Sequence, residues 1–121
     1  DDKVKFYTAM YHTLIHPNIF NDVNGEYQMF ESTGVGKIDG VDRYTIFSLW
    51  DTYRNVHPFL SLVFPQQQSA MVKSLLGMYK ESGFLPRWDL AGMETTAMVG
   101  DPALPVIVDS WFRGVRDFAC L

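Results

Sequence analysis

The sequence predicts a mainly α-helical chain that contains one short β-ribbon or irregular insertion. Apolar residues recur at the helical spacing of three and four positions in four separate segments. Between residues 18 and 44 this period disappears and turn-forming residues accumulate. Long helices joined by loops with polar and aromatic residues indicate an α/α toroid or solenoid. The predicted helices lie near residues 3–15, 49–63, 67–81 and 102–118.

The first predicted helix follows an acidic N-terminus and ends at a proline. Asp1 and Asp2 suit the positive end of a helix dipole and can cap its free N–H groups. Phe6 and Met10 begin an apolar stripe at four-residue spacing. Pro17 ends the helix, because the residue before a proline is pushed out of the helical region.

The insertion after this helix combines turns with one alternating segment. Asn21–Gly25 has the composition of a tight turn, and its likeness to a calcium-binding loop fails because the glycine comes too early. Residues 26–30 alternate polar and apolar, which predicts a short strand. Asp39 and Gly40 form a dipeptide that favours a hairpin turn.

Prolines and a glycine bound the later helices. Pro58 lies inside the second predicted helix, so a kink or an early end is expected there. Gly83 is expected to end the third helix. Asp101 and Pro102 open the fourth as its cap and first helical residue, and this helix is expected to continue without a terminator. The stretch between the third and fourth helices is expected to be irregular.

The fourth predicted helix is apolar on nearly all sides, so it needs more cover than three other helices can provide. We expect an exposed apolar surface at Val106, Ile107, Trp111 and Phe112. Large patches of this kind are rare on monomers. The surface is therefore expected to contact missing chain or to self-associate, and residues 1–121 are expected to be a piece of a larger protein.

Composition excludes several classes of protein. The chain is 47% hydrophobic and 20% charged, unlike a disordered chain. Its net charge is -4 and it has no cluster of Lys or Arg, so a nucleic-acid partner is not expected. No apolar run approaches the roughly 20 residues of a membrane span.

The single Cys120 excludes an intrachain disulfide. His12 and His16 lack the glutamate of the zinc-protease pattern, which favours structural roles.

Two interpretations of Ser48–Arg54 stay open on the residues alone. Ser48 and Asp51 have the spacing of a capping box, in which each side chain bonds a free N–H at the helix start. Arg54 then pairs with a nearby carboxylate. In the second interpretation, Trp50 offers a flat apolar face to a sugar ring and Asp51 accepts hydrogen bonds from neighbouring hydroxyls.

Glu94 is a candidate general acid. It lies in a loop of small residues, with Leu90, Met93 and Met98 close to it in sequence. A carboxyl group in an apolar setting has a raised pKa, which suits a proton donor near neutral pH. The alternative is an ordinary loop glutamate.

Several long motifs follow one another in order: Phe6–His12, Asp22–Gly25, Phe47–Arg54, His57–Pro58 and Gly92–Pro102. With these motifs, over essentially all 121 residues, the chain resembles the catalytic domain of glycoside hydrolase family 92. The family comprises calcium-dependent, inverting exo-α-mannosidases. The resemblance implies a β-sandwich followed by an (α/α)6 barrel, of which residues 1–121 form the N-terminal portion.

The resemblance also implies roles for individual residues. It makes Glu94, in a Glu-Thr motif, the general acid, and it makes Trp50 and Asp51 contacts to the terminal mannose. The family commonly has Asn where this chain has Met93, and this difference leaves the preferred glycosidic linkage of the substrate open. An α-1,2 linkage is the expected one. The catalytic base and most ligands of the Ca²⁺ ion are implied to lie downstream, with no metal ligand within these residues.

Further expectations concern the whole protein. The resemblance implies a mannose-containing glycan as partner, a secreted, periplasmic or cell-surface location, and no turnover by the isolated fragment. Two alternatives stay open: another α/α-toroid carbohydrate-active enzyme, or a non-catalytic helical binding module. In such a module, Glu94 faces solvent or a salt bridge, away from Trp50 and Asp51.

Overall fold

The computed structural model describes residues 1–118, which form five helices and seven short strands. The helices are α1 (Asp2–Thr13), α2 (Leu49–Thr52), α3 (Val56–Val63), α4 (Pro65–Ser82) and α5 (Ala103–Phe112). The strands are β1 (Asn18–Ile19), β2 (Glu26–Gln28), β3 (Val35–Lys37), β4 (Tyr44–Thr45), β5 (Phe47–Ser48), β6 (Trp88–Leu90) and β7 (Met93–Glu94).

The second predicted helix is divided in two, so a continuous helix over 49–63 is wrong. α2 ends at Thr52, and the Asn55 side chain then starts α3 by accepting the Val56 N–H at 2.8 Å. Pro58 lies in the first turn of α3, where its missing N–H removes no helical hydrogen bond. The break agrees with the expected effect of Pro58, because it places the proline in a first helical turn and away from the interior of a longer helix, and Asn55 caps the new start.

α4 confirms the third predicted helix and begins two residues before its expected start. Pro65 occupies the first turn, where the fixed φ of proline suits a helix. Gly83 ends the helix with a left-handed φ of 85°, as predicted.

α5 is shorter than predicted, because a glycine ends it at Phe112. Gly114 has a φ of 96°, and its N–H donates to the Trp111 carbonyl. The Val115 N–H donates to the Ser110 carbonyl, which completes a Schellman termination. A helix that continues to residue 118 without a terminator is therefore wrong.

Three small antiparallel sheets join distant parts of the chain. β2 pairs with β3, with Tyr27 opposite Gly36, which confirms the short β-ribbon. The turn of this ribbon spans residues 29–34. The hairpin predicted at Asp39 and Gly40 is wrong, because the strand that follows them, β4, pairs with β1 and not with β3. β5, β6 and β7 form the third sheet in that order. The stretch predicted as irregular thus contains β6 and β7.

The core lies where α3, α4 and α5 pack against one another. Val106 of α5 is buried there at 1% exposure, so its predicted exposure is wrong. Trp111 and Phe112 are exposed at 37% and 77%. The largest fully buried apolar side chains are those of Phe30, Phe47, Leu49, Leu60, Leu75 and Met78.

α1 contributes no buried residue to this core. Phe6, Tyr7 and Tyr11 of its apolar stripe are exposed. Within residues 1–118 no helix has both the length and the apolar character needed to cross a membrane. The described residues thus form a mixed arrangement of helices and small sheets, and the helical barrel stays a prediction.

Candidate active site

The candidate site residues follow strands that leave the third sheet at one end. β5 and β7 both run antiparallel to the central β6, so they leave the sheet at the same end. Trp50 and Asp51 follow β5, whereas Glu94 is the last residue of β7. Because neighbouring strands lie about 4.8 Å apart, the backbones of β5 and β7 are about 10 Å apart.

Backbone N–H groups hold both carboxylate oxygens of Glu94. Arg87 donates to Oε2 at 2.6 Å and Thr96 donates to Oε1 at 2.9 Å, while the Trp88 N–H is shared between them at 3.3 and 3.4 Å. The neighbouring Met93 is 61% exposed, and it points to the opposite face because successive side chains of a strand alternate. The predicted apolar setting of Glu94 is therefore wrong, and its carboxylate lies in a cradle of backbone donors.

Glu94 lines an open cavity of about 600 Å³. Glu31 and Asp101 add two more carboxyl side chains to the wall, and Tyr79 and Phe84 add partly exposed aromatic rings. Carboxylates accept hydrogen bonds from hydroxyl groups, and aromatic rings pack on apolar C–H surfaces. The lining therefore suits a ligand that has many hydroxyl groups on an apolar ring frame.

Trp50 lines a smaller cavity of about 250 Å³ that shares Asp101 with the first one. The Arg54 guanidinium carbon lies 4.8 Å from the centroid of the Trp50 ring, and Arg54 Nη2 donates to the Trp50 carbonyl at 3.2 Å. Arg54 thus covers one face of the indole, and within residues 1–118 it does not make the predicted pairing with a carboxylate. The indole is still 42% exposed, which leaves surface for a ligand.

Asp51 is exposed and lies outside the walls of both cavities. The Ser48 hydroxyl donates to Asp51 Oδ2 at 2.6 Å, and the Ser48 side chain makes no hydrogen bond to the helix N–H groups. The capping-box interpretation is therefore wrong, because the Ser48 side chain bonds Asp51 and not a backbone N–H at the start of the helix. The structure brings Trp50 and Glu94 to adjoining cavities, and it leaves Asp51 on the surface beside Trp50.

Asp89 is a buried residue of the central strand β6, which pairs with the strand that carries Glu94. In the sequence it is visible only as a neighbour of Glu94. It is fully buried and pairs across the sheet with both Phe47 and Glu94. Burial raises its pKa, and hydrogen bonds from Thr45, Gly92 and Ile46 together with the nearby charge of Arg43 oppose that shift. A carboxyl group with no solvent access cannot reach a substrate, so Asp89 has a structural role.

Glu31 also belongs to the site and carries no sequence signal. It lies 63 positions before Glu94, in the segment without helical period, yet its Oε1 accepts the Glu94 N–H at 2.6 Å. Spacing arguments cannot detect a contact of this separation, because only the tertiary fold brings the two segments together.

The described residues do not assemble a metal site. Within residues 1–118 no three His, Cys, Asp or Glu side chains are arranged to hold an ion. The Asn21–Gly25 turn closes on itself, because the Gly25 N–H donates to the Asp22 carbonyl at 2.9 Å and the Glu26 N–H donates to Asn24 Oδ1 at 3.0 Å. Residues 1–118 thus offer no fitting donor set for the calcium ion implied by the resemblance.

Solved structures with the same fold come from Bacteroides thetaiotaomicron. A GH92 α-mannosidase in complex with mannoimidazole is 38% identical over 91% of this chain, with a TM-score of 0.87. Another structure of that enzyme is 40% identical over 84% of the chain, with a TM-score of 0.80. An inverting GH92 mannosidase is 32% identical over 91% of the chain, with a TM-score of 0.79.

The chain spans only 15%, 14% and 15% of the lengths of these three relatives. No match is found among curated proteins. The glycosyl hydrolase family 92 catalytic domain matches residues 1–120. With a family match over nearly every residue, and with relatives of up to 40% identity that share its fold, this chain belongs to glycosyl hydrolase family 92.

Proposed function

We propose that the full-length protein containing this chain is an exo-α-mannosidase that hydrolyses terminal α-mannosides of glycans, with Glu94 as its general acid. The position of Glu94 carries the proposal: its carboxylate is held by backbone donors on the wall of an open cavity of about 600 Å³. A solved relative that binds mannoimidazole supports mannose as the sugar.

In the proposed reaction Glu94 protonates the departing glycosidic oxygen, so that the leaving alcohol departs as a neutral molecule. The hydrogen bonds from Arg87 and Thr96 orient its carboxyl group before the substrate arrives. Trp50 packs its exposed surface on the terminal sugar ring. Asp51 accepts hydrogen bonds from the hydroxyl groups of that ring.

The proposal extends to an inverting, calcium-dependent reaction with α-1,2-linked substrates. An inverting glycosidase places its base about 6.5–9.5 Å from the acid, with a water molecule between the base and the sugar. Asp89 is unsuited to this task because it is fully buried. We infer that the base and most of the calcium ligands belong to a part of the full-length protein that these 121 residues do not include, since the chain spans only about 15% of its solved relatives.

The proposed frame for these residues is an (α/α)6 barrel, with residues 1–121 as its N-terminal portion. A secreted, periplasmic or cell-surface location is proposed with it, since glycans are found there. A binding module without chemistry is less favoured, because the Glu94 carboxylate lines a cavity and does not end in a salt bridge within residues 1–118.

The test is a screen of the full-length protein on aryl α-mannosides, aryl β-mannosides and aryl α-glucosides, with and without a chelator. Turnover of the α-mannosides alone is expected, with loss of activity in chelator and recovery on adding Ca²⁺. Proton NMR of the first product should show β-mannose if the reaction inverts. Turnover of a different sugar identifies another carbohydrate-active enzyme, and binding without turnover identifies a non-catalytic module.

A further inference from the structure

Glu31 holds the strand that carries Glu94 at both of its ends. Its carboxylate Oε1 accepts the Glu94 N–H at 2.6 Å, and its own N–H donates to the Gly92 carbonyl at 2.8 Å. These two hydrogen bonds flank Met93, so β7 is bonded to β6 on one side and to Glu31 on the other. Movement of the Glu94 backbone therefore requires the loss of the Glu31 contact.

The backbone around Glu31 is itself anchored to the core. The preceding Phe30 is fully buried, and its N–H donates to Glu81 Oε2 at 2.7 Å. Arg43 pairs with the same oxygen at 2.8 Å, and both of these side chains are almost completely buried. Charge-assisted hydrogen bonds are among the stronger ones in proteins. This ion pair thus fixes the segment from which Glu31 extends.

Glu31 has a left-handed backbone with φ of 55°, which is uncommon outside glycine. Such a conformation costs of order 1–3 kcal/mol and persists only where neighbouring contacts hold it. Here the contacts are the anchored Phe30 on one side and the hydrogen bonds to β7 on the other. The conformation turns the Glu31 side chain toward the cavity that it shares with Glu94.

From this arrangement we propose that Glu31 is a positioning residue for the general acid. The inference rests on the proposed role of Glu94. Glu31 fixes the Glu94 backbone, while the Arg87 and Thr96 N–H groups fix its carboxylate. A misplacement of about 1 Å in a reacting group can cost on the order of 10² in rate. Loss of the Glu31 carboxylate thus impairs proton donation and leaves sugar binding by Trp50 intact.

The test compares two substrates of the full-length protein: an α-mannobioside, whose leaving group needs protonation, and a nitrophenyl α-mannoside, whose leaving group does not. Glu31→Ala is expected to lower kcat on the disaccharide by about 10- to 100-fold with little change in KM. The loss should be much smaller on the nitrophenyl substrate. Glu31→Gln keeps an acceptor oxygen and should restore most of kcat. Glu26→Ala, which removes an exposed glutamate of β2, is the matched control and should retain full activity.

A double variant shows whether Glu31 acts through Glu94. Glu31→Ala combined with Glu94→Gln should be no slower than Glu94→Gln alone, because no proton donor is left to position. Equal losses on both substrates for Glu31→Ala, unchanged activity, or additive losses in the double variant overturn the inference. If Glu31→Ala does not fold, Glu31→Asp carries the same expectation, since its shorter side chain withdraws the acceptor from the Glu94 N–H.

The Glu94→Gln variant distinguishes a failure of the proposed function of Glu94 from a failure of the positioning role of Glu31. If Glu94→Gln slows both substrates equally, the proposed function of Glu94 fails and the inference about Glu31 falls with it. If Glu94→Gln spares the nitrophenyl substrate and Glu31→Ala does not, only the positioning role fails.

Discussion

The Thr45 hydroxyl donates a buried hydrogen bond of 2.6 Å to Asp89 Oδ2, across a separation of 44 residues. The same oxygen accepts the Ile46 N–H at 3.0 Å, and Oδ1 accepts the Gly92 N–H at 3.0 Å. Ile46 and Gly92 both have a left-handed backbone, with φ of 63° and 87°. One buried carboxylate therefore holds both the residue that precedes β5 and the turn that joins β6 to β7, in the sheet that carries Glu94.

Removal of this carboxylate should loosen the sheet. Asp89→Ala leaves the Thr45, Ile46 and Gly92 donors without their acceptor in a buried position, and we expect a loss of about 2–5 kcal/mol in local stability. Hydrogen exchange of the amides in β6 and β7 measures it, as faster exchange in the full-length protein. Asp109→Ala removes an exposed pair with Arg113 and should change stability by less than about 1 kcal/mol. Unchanged exchange in Asp89→Ala would show that the carboxylate is dispensable.

Glu94→Gln should abolish most turnover of natural mannosides, because a neutral amide cannot donate the proton that the leaving alcohol needs. The expected loss in kcat/KM is about 10²–10⁴-fold on an α-mannobioside and far less on a nitrophenyl α-mannoside. Gln has nearly the same shape as Glu, so folding should be preserved. Wild-type activity of this variant on the disaccharide is the result that excludes Glu94 as the acid.

Asp51→Asn should affect both substrate types alike, because Asp51 is proposed to bind the sugar and not the leaving group. The loss of hydrogen bonds to a charged acceptor corresponds to about 10- to 100-fold in kcat/KM. Ser48→Ala is the matched control, since it removes the hydroxyl that donates to Asp51 and leaves the carboxylate in place. A loss confined to the disaccharide would instead connect Asp51 with proton transfer.

His57 should make stability depend on pH. It is a buried residue of α3, its Nδ1 bonds Oε1 of Gln68 in α4 at 3.0 Å, and its Nε2 has no partner among the described residues. Burial lowers the pKa of His57 from 6.5 to about 4, partly opposed by the Gln68 hydrogen bond. Below pH 6.5 the unfolded chain binds a proton that the folded chain excludes. The contribution of His57 to the free energy of unfolding is therefore constant above that pH and should fall by roughly 3 kcal/mol as the pH drops to 4.

The matched variant for this pH dependence is His57→Asn. Its amide nitrogen can replace Nδ1 as donor to Gln68 but does not titrate. The free energy of unfolding, measured in urea between pH 7 and 4, should vary less in this variant than in the wild type. An equal pH dependence would assign the effect to other groups.

Exposed apolar side chains should make the 121-residue chain self-associate when it is produced alone. Phe6, Tyr7 and Tyr11 of α1 and Phe112 of α5 are all exposed, at 53% to 77%. Light scattering should detect oligomers whose mass grows with concentration, and Phe112→Glu together with Tyr11→Glu should reduce them. A monodisperse monomer of the unmodified chain would contradict this prediction.

Local sequence determined the elements that a few neighbouring residues can specify. Gly83 ends α4 as predicted, because glycine supplies the left-handed closing residue. The Asn21–Gly25 turn follows from its composition in the same way. The ordered motifs from Phe6–His12 to Gly92–Pro102 were together enough to indicate the family, because motif resemblance needs no knowledge of tertiary contacts.

Tertiary structure alone decided how the site is assembled. β5, β6 and β7 contain two or three residues each, too few for an alternating pattern to appear, and their pairing joins segments about 40 residues apart. The burial of Asp89 and the contact of Glu31 with Glu94 depend on that pairing. Hydrogen bonds between distant segments leave no periodic trace in the sequence, because they require only that the fold bring a donor and an acceptor within about 3 Å.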